Sequence, residues 1–317
     1  MREHHDHHGN HPGSDHVLDD HAHDDIAPDE HAHDEHAHDE HAQDGTADAA
    51  LAELLDLDGE VLRSYWTDVL TWVRRAATST GRGRILDLGA GSGVGTIALA
   101  QRFDGAEVVA VDSSQEMLRR IRVKALDLGL APRVRTVRAD LNVGWPAIDP
   151  IDVTWASMSL HHLTDPDRVL RDVFTATRPG GLMAVAEMAE PLRFLPHDLG
   201  IGRPGLEARC LDGLRNDHAH SLPDLGSEWS PRLETAGFAV LSERTITIER
   251  NPPHQPATAR YAQRWLRRLR SGLMHRLADD DVKTLAILID GDGPESLQQR
   301  DDLQLRGVRT VTLARRP

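Results

Sequence analysis

The feature of this 317-residue chain that most limits its fold lies between Arg84 and Met117. Arg84-Ile85-Leu86-Asp87-Leu88 is an apolar run of strand length, and it enters Gly89-Ala90-Gly91-Ser92-Gly93 without a spacer. A helical apolar pattern follows from Val94 to Phe103, and a second apolar run, Glu107 to Val111, ends in Asp112. Ser113-Ser114-Gln115-Glu116 then opens another helix through Met117, with capping-box spacing from Ser113 to Glu116. Strand, glycine turn, helix, strand and acid in that order predict a nucleotide site at the carboxyl edge of a parallel sheet. The glycines permit a sharp turn and close approach of backbone to ligand, and the acid accepts hydrogen bonds from ribose hydroxyls.

The glycine spacing selects among nucleotides. A dinucleotide fingerprint needs Gly-x-Gly-x-x-Gly/Ala, but counting from Gly89 puts Val94 at its last position and counting from Gly91 puts Thr96 there. A nicotinamide oxidoreductase therefore fails on spacing. What stands here is an acid two residues ahead of three alternate glycines, Asp87-Leu-Gly89-Ala90-Gly91-Ser-Gly93. That pattern resembles motif I of the class I, Rossmann-like S-adenosylmethionine-dependent methyltransferases. Their cofactor has no pyrophosphate, so the loop passes beneath the methionine half with a carboxylate near its amino group.

The resemblance extends over Ile85 to Glu187. Asp112 matches the acid that holds both ribose hydroxyls, with Ser113 and Met117 beside it. Arg133 to Ala139 reads as a third strand, after which Asp140-Leu141 matches the adenine-contacting position. Ile151 to Ala156 matches the fourth strand. Ser157-Met158-Ser159-Leu160-His161-His162-Leu163 is similar to the Leu-His-His segment of the small-molecule branch. Val169 to Arg178 reads as the next helix, Pro179-Gly180-Gly181-Leu182 as a turn, and Met183 to Glu187 as strand five. Phe238 to Glu249 and Val308 to Ala314 match an antiparallel edge pair.

The resemblance implies a doubly wound α/β fold with a seven-stranded, mostly parallel sheet. Within the small-molecule branch the chain looks like the ubiquinone-biosynthesis or trans-aconitate type. Residues 189–235, rich in Gly, Pro and His, are expected as an insertion that caps the active site. The implied cofactor is S-adenosyl-L-methionine, held by Asp87, Gly89, Ala90, Gly91, Gly93, Asp112, Ser113, Met117, Asp140, Leu141 and Ser157. The implied partner is a small-molecule methyl acceptor, whose identity and methylated atom are left open. His161 or His162 is a candidate general base, since imidazole titrates near neutrality; the alternative is a helix cap and a packed ring. Glu187, at a strand end, either orients the acceptor or sits in the rim.

Ahead of this domain the chain is a different polymer. Up to Asp48 fifteen acids face one base, Arg2, so nearly all of the net charge of −15 lies there and the rest is close to neutral. Thirteen of the 20 histidines fall at or before His41, several in a pentad repeat, Asp29-Glu30-His31-Ala32-His33 and its successors. With almost no apolar surface to offset chain entropy, residues 1–48 are expected to be disordered. Imidazoles among carboxylates suit Zn, Ni or Co, which makes His4, His5, His7, His8, His21, His23, His31, His33, His36 and His38 candidate ligands. A metal-buffering or metal-sensing protein acting through this tail is the competing function.

From Ala49, Leu51, Leu54, Leu55, Leu57, Val61, Leu62, Tyr65, Trp66, Val69 and Leu70 recur at helical spacing. Residues 49–80 are thus expected as N-terminal helices broken at Gly59, with the methyltransferase-like domain over 81–317. Tyr65 and Trp66 are core or cofactor-closing residues. The 39% hydrophobic content supports a sizeable core, and the single Cys210 excludes an internal disulfide, a cysteine zinc finger and an arsenic-transferring thiolate set. No apolar run is long enough for a bilayer and no secretory leader is visible, so a soluble cytoplasmic protein is expected. A near-neutral body predicts no nucleic-acid partner. Asn251-Pro252-Pro253-His254 stands at the wrong place for an amino-methyltransferase motif. Arg260, Arg264, Arg267, Arg268 and Arg270 read as a solvated helix face above a packing stripe of Tyr261, Trp265, Leu269 and Leu273.

Overall fold

The computed structural model describes residues 32–77, 83–148, 150–222, 224–252 and 256–317, with backbone alone for 32–46 and 217–221. Gln43–Pro317 form one compact unit.

The sheet is built from β1 (Arg84–Leu88), β2 (Glu107–Asp112), β3 (Val134–Arg138), β4 (Ile151–Ser157), β5 (Thr177–Arg193), β6 (Ala239–Arg250) and β7 (Leu305–Arg315). Their order is β3-β2-β1-β4-β5-β7-β6; the first five are parallel, and β7 runs antiparallel to both neighbours. This is the expected doubly wound α/β sheet. Its inner strands read as nearly unbroken apolar runs because both faces are covered. Ile85, Val108, Val153 and Trp155 face one core; Leu86, Val109, Ala156 and Met183 face the other.

The first core is covered by α1 (Ala32–Val61), α2 (Arg63–Ala76) and α3 (Val94–Arg102), and by α6 (Leu206–Ser221), α8 (Pro256–Leu273) and α9 (Asp279–Asp290). The second is covered by α5 (Pro166–Ala176) and α7 (Trp229–Thr235), while α4 (Gln115–Asp127) packs beside β2 and β3.

Several expectations shift. The helical backbone begins at Ala32, ahead of the expected start at Ala49, in a stretch whose alanines and glutamates favour helix. Gly59 lies inside α1, and the break falls at Leu62. A Cβ at Gly59 would stand 2.7 Å from a Val94 methyl, so this glycine serves close approach to α3 rather than a turn. Pro179–Gly181 form a bulge inside β5, because pairing with β4 jumps from Ile151↔Thr177 to Val153↔Leu182. The 189–235 stretch also divides. α6 packs against α8, whereas α7 buries Trp229 and Leu233 beside α5 on the opposite face.

Candidate active site

At the carboxyl edge of β1 the chain turns sharply through Gly89 and Gly91, both left-handed (φ +69° and +50°). A Cβ at Gly89 would lie 2.4 Å from that of Ser159, and one at Gly91 2.8 Å from Leu55 Cδ1. Neither position has room for a side chain, and the backbone stays bare toward the cavity above it. Asp87 is buried; its Oδ2 accepts a 2.5 Å hydrogen bond from Thr96 Oγ1. Burial pushes its carboxyl up to about 7, the Thr96 bond offsets part of this, and the Asp112 charge adds to it.

Asp112 closes the loop from β2. Its Oδ2 accepts the Gly91 N–H at 2.8 Å and its Oδ1 accepts the Ser114 N–H at 2.9 Å. Burial holds its carboxyl above the usual aspartate range despite these bonds. The cap of α4 is Ser114, not Ser113: Ser114 Oγ accepts from Met117 N at 3.2 Å and donates to Asp48. Glu116 pairs with Arg119 and Arg120 instead of completing a capping box. Asp140 is exposed and accepts from Asn142 N at 2.9 Å, while Leu141 beside it is buried.

Beyond Ser157, Met158 takes a left-handed conformation (φ +54°), and Ser159 Oγ donates to Leu88 O at 2.8 Å, joining the β4 and β1 exits. Glu187 of β5 organises the following 3-10 turn, Leu160–His162. Its Oε1 accepts from Ser159 N (3.1 Å) and Leu160 N (3.0 Å), and its Oε2 lies 2.6 Å from His161 Nδ1. Both side chains are buried, at 4% and 3% exposure. The contact sets the tautomer: Nδ1 carries the proton and donates, which leaves Nε2 as the acceptor. His162 is exposed, its ring centred 4.1 Å from that of His161.

A third cluster was not legible beforehand. Asp58 of α1 accepts from Trp66 Nε1 (3.1 Å), Tyr261 Oη (2.9 Å) and both terminal nitrogens of Arg309, tying α1, α2, α8 and β7 together. Arg309 also lies over the Tyr65 ring, 4.8 Å from its centre. Its guanidinium is held above its ordinary range by the Asp58 charge, against the opposing effect of burial. Burial raises the Tyr65 and Tyr261 phenols, keeping both neutral.

One cavity of about 1110 Å³ runs along the sheet edge past all three groups. Asp87, Gly89, Ala90, Gly91, Asp112, Ser113, Met117, Asp140, Leu141, Ser157, His161 and His162 line it. Gly93 does not; it is the left-handed N-cap of α3, packed against Ile121. Glu187 stands behind His161 rather than in the rim. Trp66 lines the cavity and Tyr65 sits in the core beside it. The basic face of α8 is at the surface, where most of its arginines are paired. Arg264 pairs with Glu53, Arg260 with Glu60, and Arg267 and Arg270 with Asp290, while Arg268 lines the cavity. Cys210 is a buried thiol pushed up to about 12 by desolvation, so it is unreactive.

The tail histidines His4, His5, His7, His8, His21, His23, His31, His33, His36 and His38 lie outside the described side chains, as do Pro253 and His254. Among the described residues no cluster of His, Cys, Asp or Glu is placed to hold a metal, and no helix is long and apolar enough to cross a membrane.

Comparison with known proteins agrees with the geometry. Residues 85–181 match the family model described as a methyltransferase domain. The chain is 37% identical over 131 residues to a trans-aconitate 2-methyltransferase of Azoarcus sp. (strain BH72), covering 41% of this chain and 49% of that protein. It is 32% identical over 141 residues to a ubiquinone biosynthesis O-methyltransferase of Aeromonas salmonicida (strain A449), covering 44% and 58%. The chain thus spans about half the length of these curated relatives. A crystal structure of a putative methyltransferase from Bacillus halodurans shares the fold, with a TM-score of 0.51 at 18% identity over 78% of this chain and 98% of that one. Sheet order, glycine turn and matched segment make this a class I, Rossmann-like methyltransferase fold. Over residues 85–181 the chain carries the segment that this methyltransferase-domain model describes.

Proposed function

We propose that the chain transfers a methyl group from S-adenosyl-L-methionine to a small organic acceptor. The observation that carries this reading is the pair Asp87 and Asp112, which flank a glycine turn at the exits of adjacent parallel strands and line one cavity. The donor set fits the cofactor. Asp87 is a carboxylate removed from water, which an ammonium group would stabilise in its charged form. Asp112 is fixed by two backbone N–H groups and turned toward the cavity, as ribose recognition needs. Ala90, Gly91, Ser113, Met117, Asp140, Leu141 and Ser157 complete the wall around it, and Gly93 sets the turn.

When bound, the cofactor supplies an electrophilic methyl on a sulfonium, so the protein's work is positioning and exclusion of water. His161 lines the cavity with its Nδ1 held by Glu187, so its imidazole is placed to take a proton from an acceptor hydroxyl. Glu187 fixes the ring through Nδ1 and stabilises the imidazolium that results. Glu187 is a positioning residue, because the turn and the imidazole lie between it and the cavity. Zn, Ni or Co binding by the tail would rest on its composition alone. Titration with S-adenosylhomocysteine tests the cofactor assignment, and its loss on Asp112→Ala tests the site.

A further inference from the structure

The cavity wall also carries residues far in sequence from the glycine turn. They include Leu192, Leu214, Leu222, Trp265, Leu269 and Leu273, an apolar wall drawn from β5, α6, the chain after it and α8. The whole cavity, about 1110 Å³, exceeds the upper end of the roughly 300–1,000 Å³ typical of a single small-ligand pocket, so a second molecule fits beside the cofactor.

The charge along this wall is balanced. Arg309, which also lines the cavity, is already engaged by Asp58, with the two side chains 5% and 11% exposed. Glu190 and Arg268 are exposed residues of opposite sign at the rim. An anion buried beside Arg309 would compete with Asp58 for its guanidinium, an unfavourable exchange. A carboxylate-rich acceptor is therefore poorly matched, whereas leucine and indole surfaces reward an apolar body. The Trp265 indole N–H is buried without a partner, which supplies one donor for an oxygen on that body.

Resting on the methyltransferase reading, we infer that the acceptor is an uncharged, largely apolar molecule bearing a hydroxyl, its body against the apolar wall of α6 and α8. His161, which lines the same cavity, is the group that receives the hydroxyl proton. Charge is conserved: the oxygen–carbon bond forms as the sulfur–carbon bond breaks, the sulfur keeps the electron pair and becomes neutral, and the proton resides on His161 as an imidazolium beside Glu187.

The test uses the full chain saturated with S-adenosylhomocysteine and two probes, 2-naphthol and citrate, followed by calorimetry. Two variants report on the walls. Gly272→Phe adds bulk where a Cβ meets nothing within 4 Å, so the helix is not disturbed. Leu214→Asp places a charge on the half-buried α6 wall. The expected result is 2-naphthol binding that each variant weakens at least tenfold, with no binding of citrate. Binding of citrate as tight as that of 2-naphthol, absence of 2-naphthol binding, or 2-naphthol affinity unchanged in both variants would overturn the inference. S-adenosylhomocysteine affinity, measured on every protein, separates the two claims. If it is absent while 2-naphthol still binds with the same dependence on Gly272 and Leu214, the methyltransferase reading fails and the apolar wall stands.

Discussion

The Asp112 carboxylate is hydrogen-bonded to the Gly91 backbone N–H at 2.8 Å, so the acid at the end of β2 also fixes the glycine turn at the end of β1. One side chain therefore shapes the loop and faces the ligand. Asp112→Ala should weaken S-adenosylhomocysteine binding more than tenfold, or about 1.4 kcal/mol. The thermal upshift produced by a fixed ligand concentration should shrink accordingly. An undiminished upshift would contradict the assignment.

Asp87 makes a pH prediction of defined sign. Burial pushes its carboxyl up to about 7 in the fold, against an ordinary value of 3.8. Between those values the folded chain keeps a proton that the unfolded chain has lost, so stability falls as pH rises through this window and levels above it. Glu207, also raised to about 7 by burial, contributes in the same direction. Asp87→Asn should therefore reduce the slope without abolishing it. Urea midpoints of the ligand-free chain at pH 5 and pH 7.5 check this; equal slopes for both proteins would contradict it.

Glu187 and His161 separate orientation from proton transfer. Glu187→Gln retains an oxygen for the Ser159 and Leu160 N–H groups but offers an amide to His161 Nδ1, which disfavours the productive tautomer. The expected outcome is a kcat lowered about 10²-fold or more with a small change in midpoint of unfolding, and a similar loss for His161→Gln. Wild-type turnover in either variant would remove His161 from the proposed reaction.

The Asp58–Arg309 pair on the cavity wall predicts a stability effect. Arg309→Met leaves Asp58 buried with an uncompensated charge, a loss of about 3–5 kcal/mol. Replacing both members together with apolar residues should recover much of it. Chemical denaturation of the two proteins measures the difference, and equal stability of single and double variants would contradict the coupling.

The region from Ile85 to Glu187 was legible because each signal in it is local. The glycine turn, the acids at strand ends and the apolar strand runs sit within a few residues of the features they create. The edge strands Ala239–Arg250 and Leu305–Arg315 were recognisable for the same reason. The apolar wall of the cavity was not legible. Tyr261, Trp265, Leu269 and Leu273 form a helical stripe that packing alone explains, and only the fold brings it opposite Leu192 and Leu214. Asp58 reads as one polar residue on a leucine-rich helix and Arg309 as an ordinary strand residue. Their pairing spans 251 positions, which no periodicity encodes. Glu187 was open between two roles until its contacts with Ser159, Leu160 and His161 placed it behind the imidazole.

The central claim is tested most directly by calorimetric titration of the full chain with S-adenosylhomocysteine. The account predicts one-to-one binding with a dissociation constant on the order of micromolar, about −8 kcal/mol. Absence of binding at millimolar ligand would contradict it.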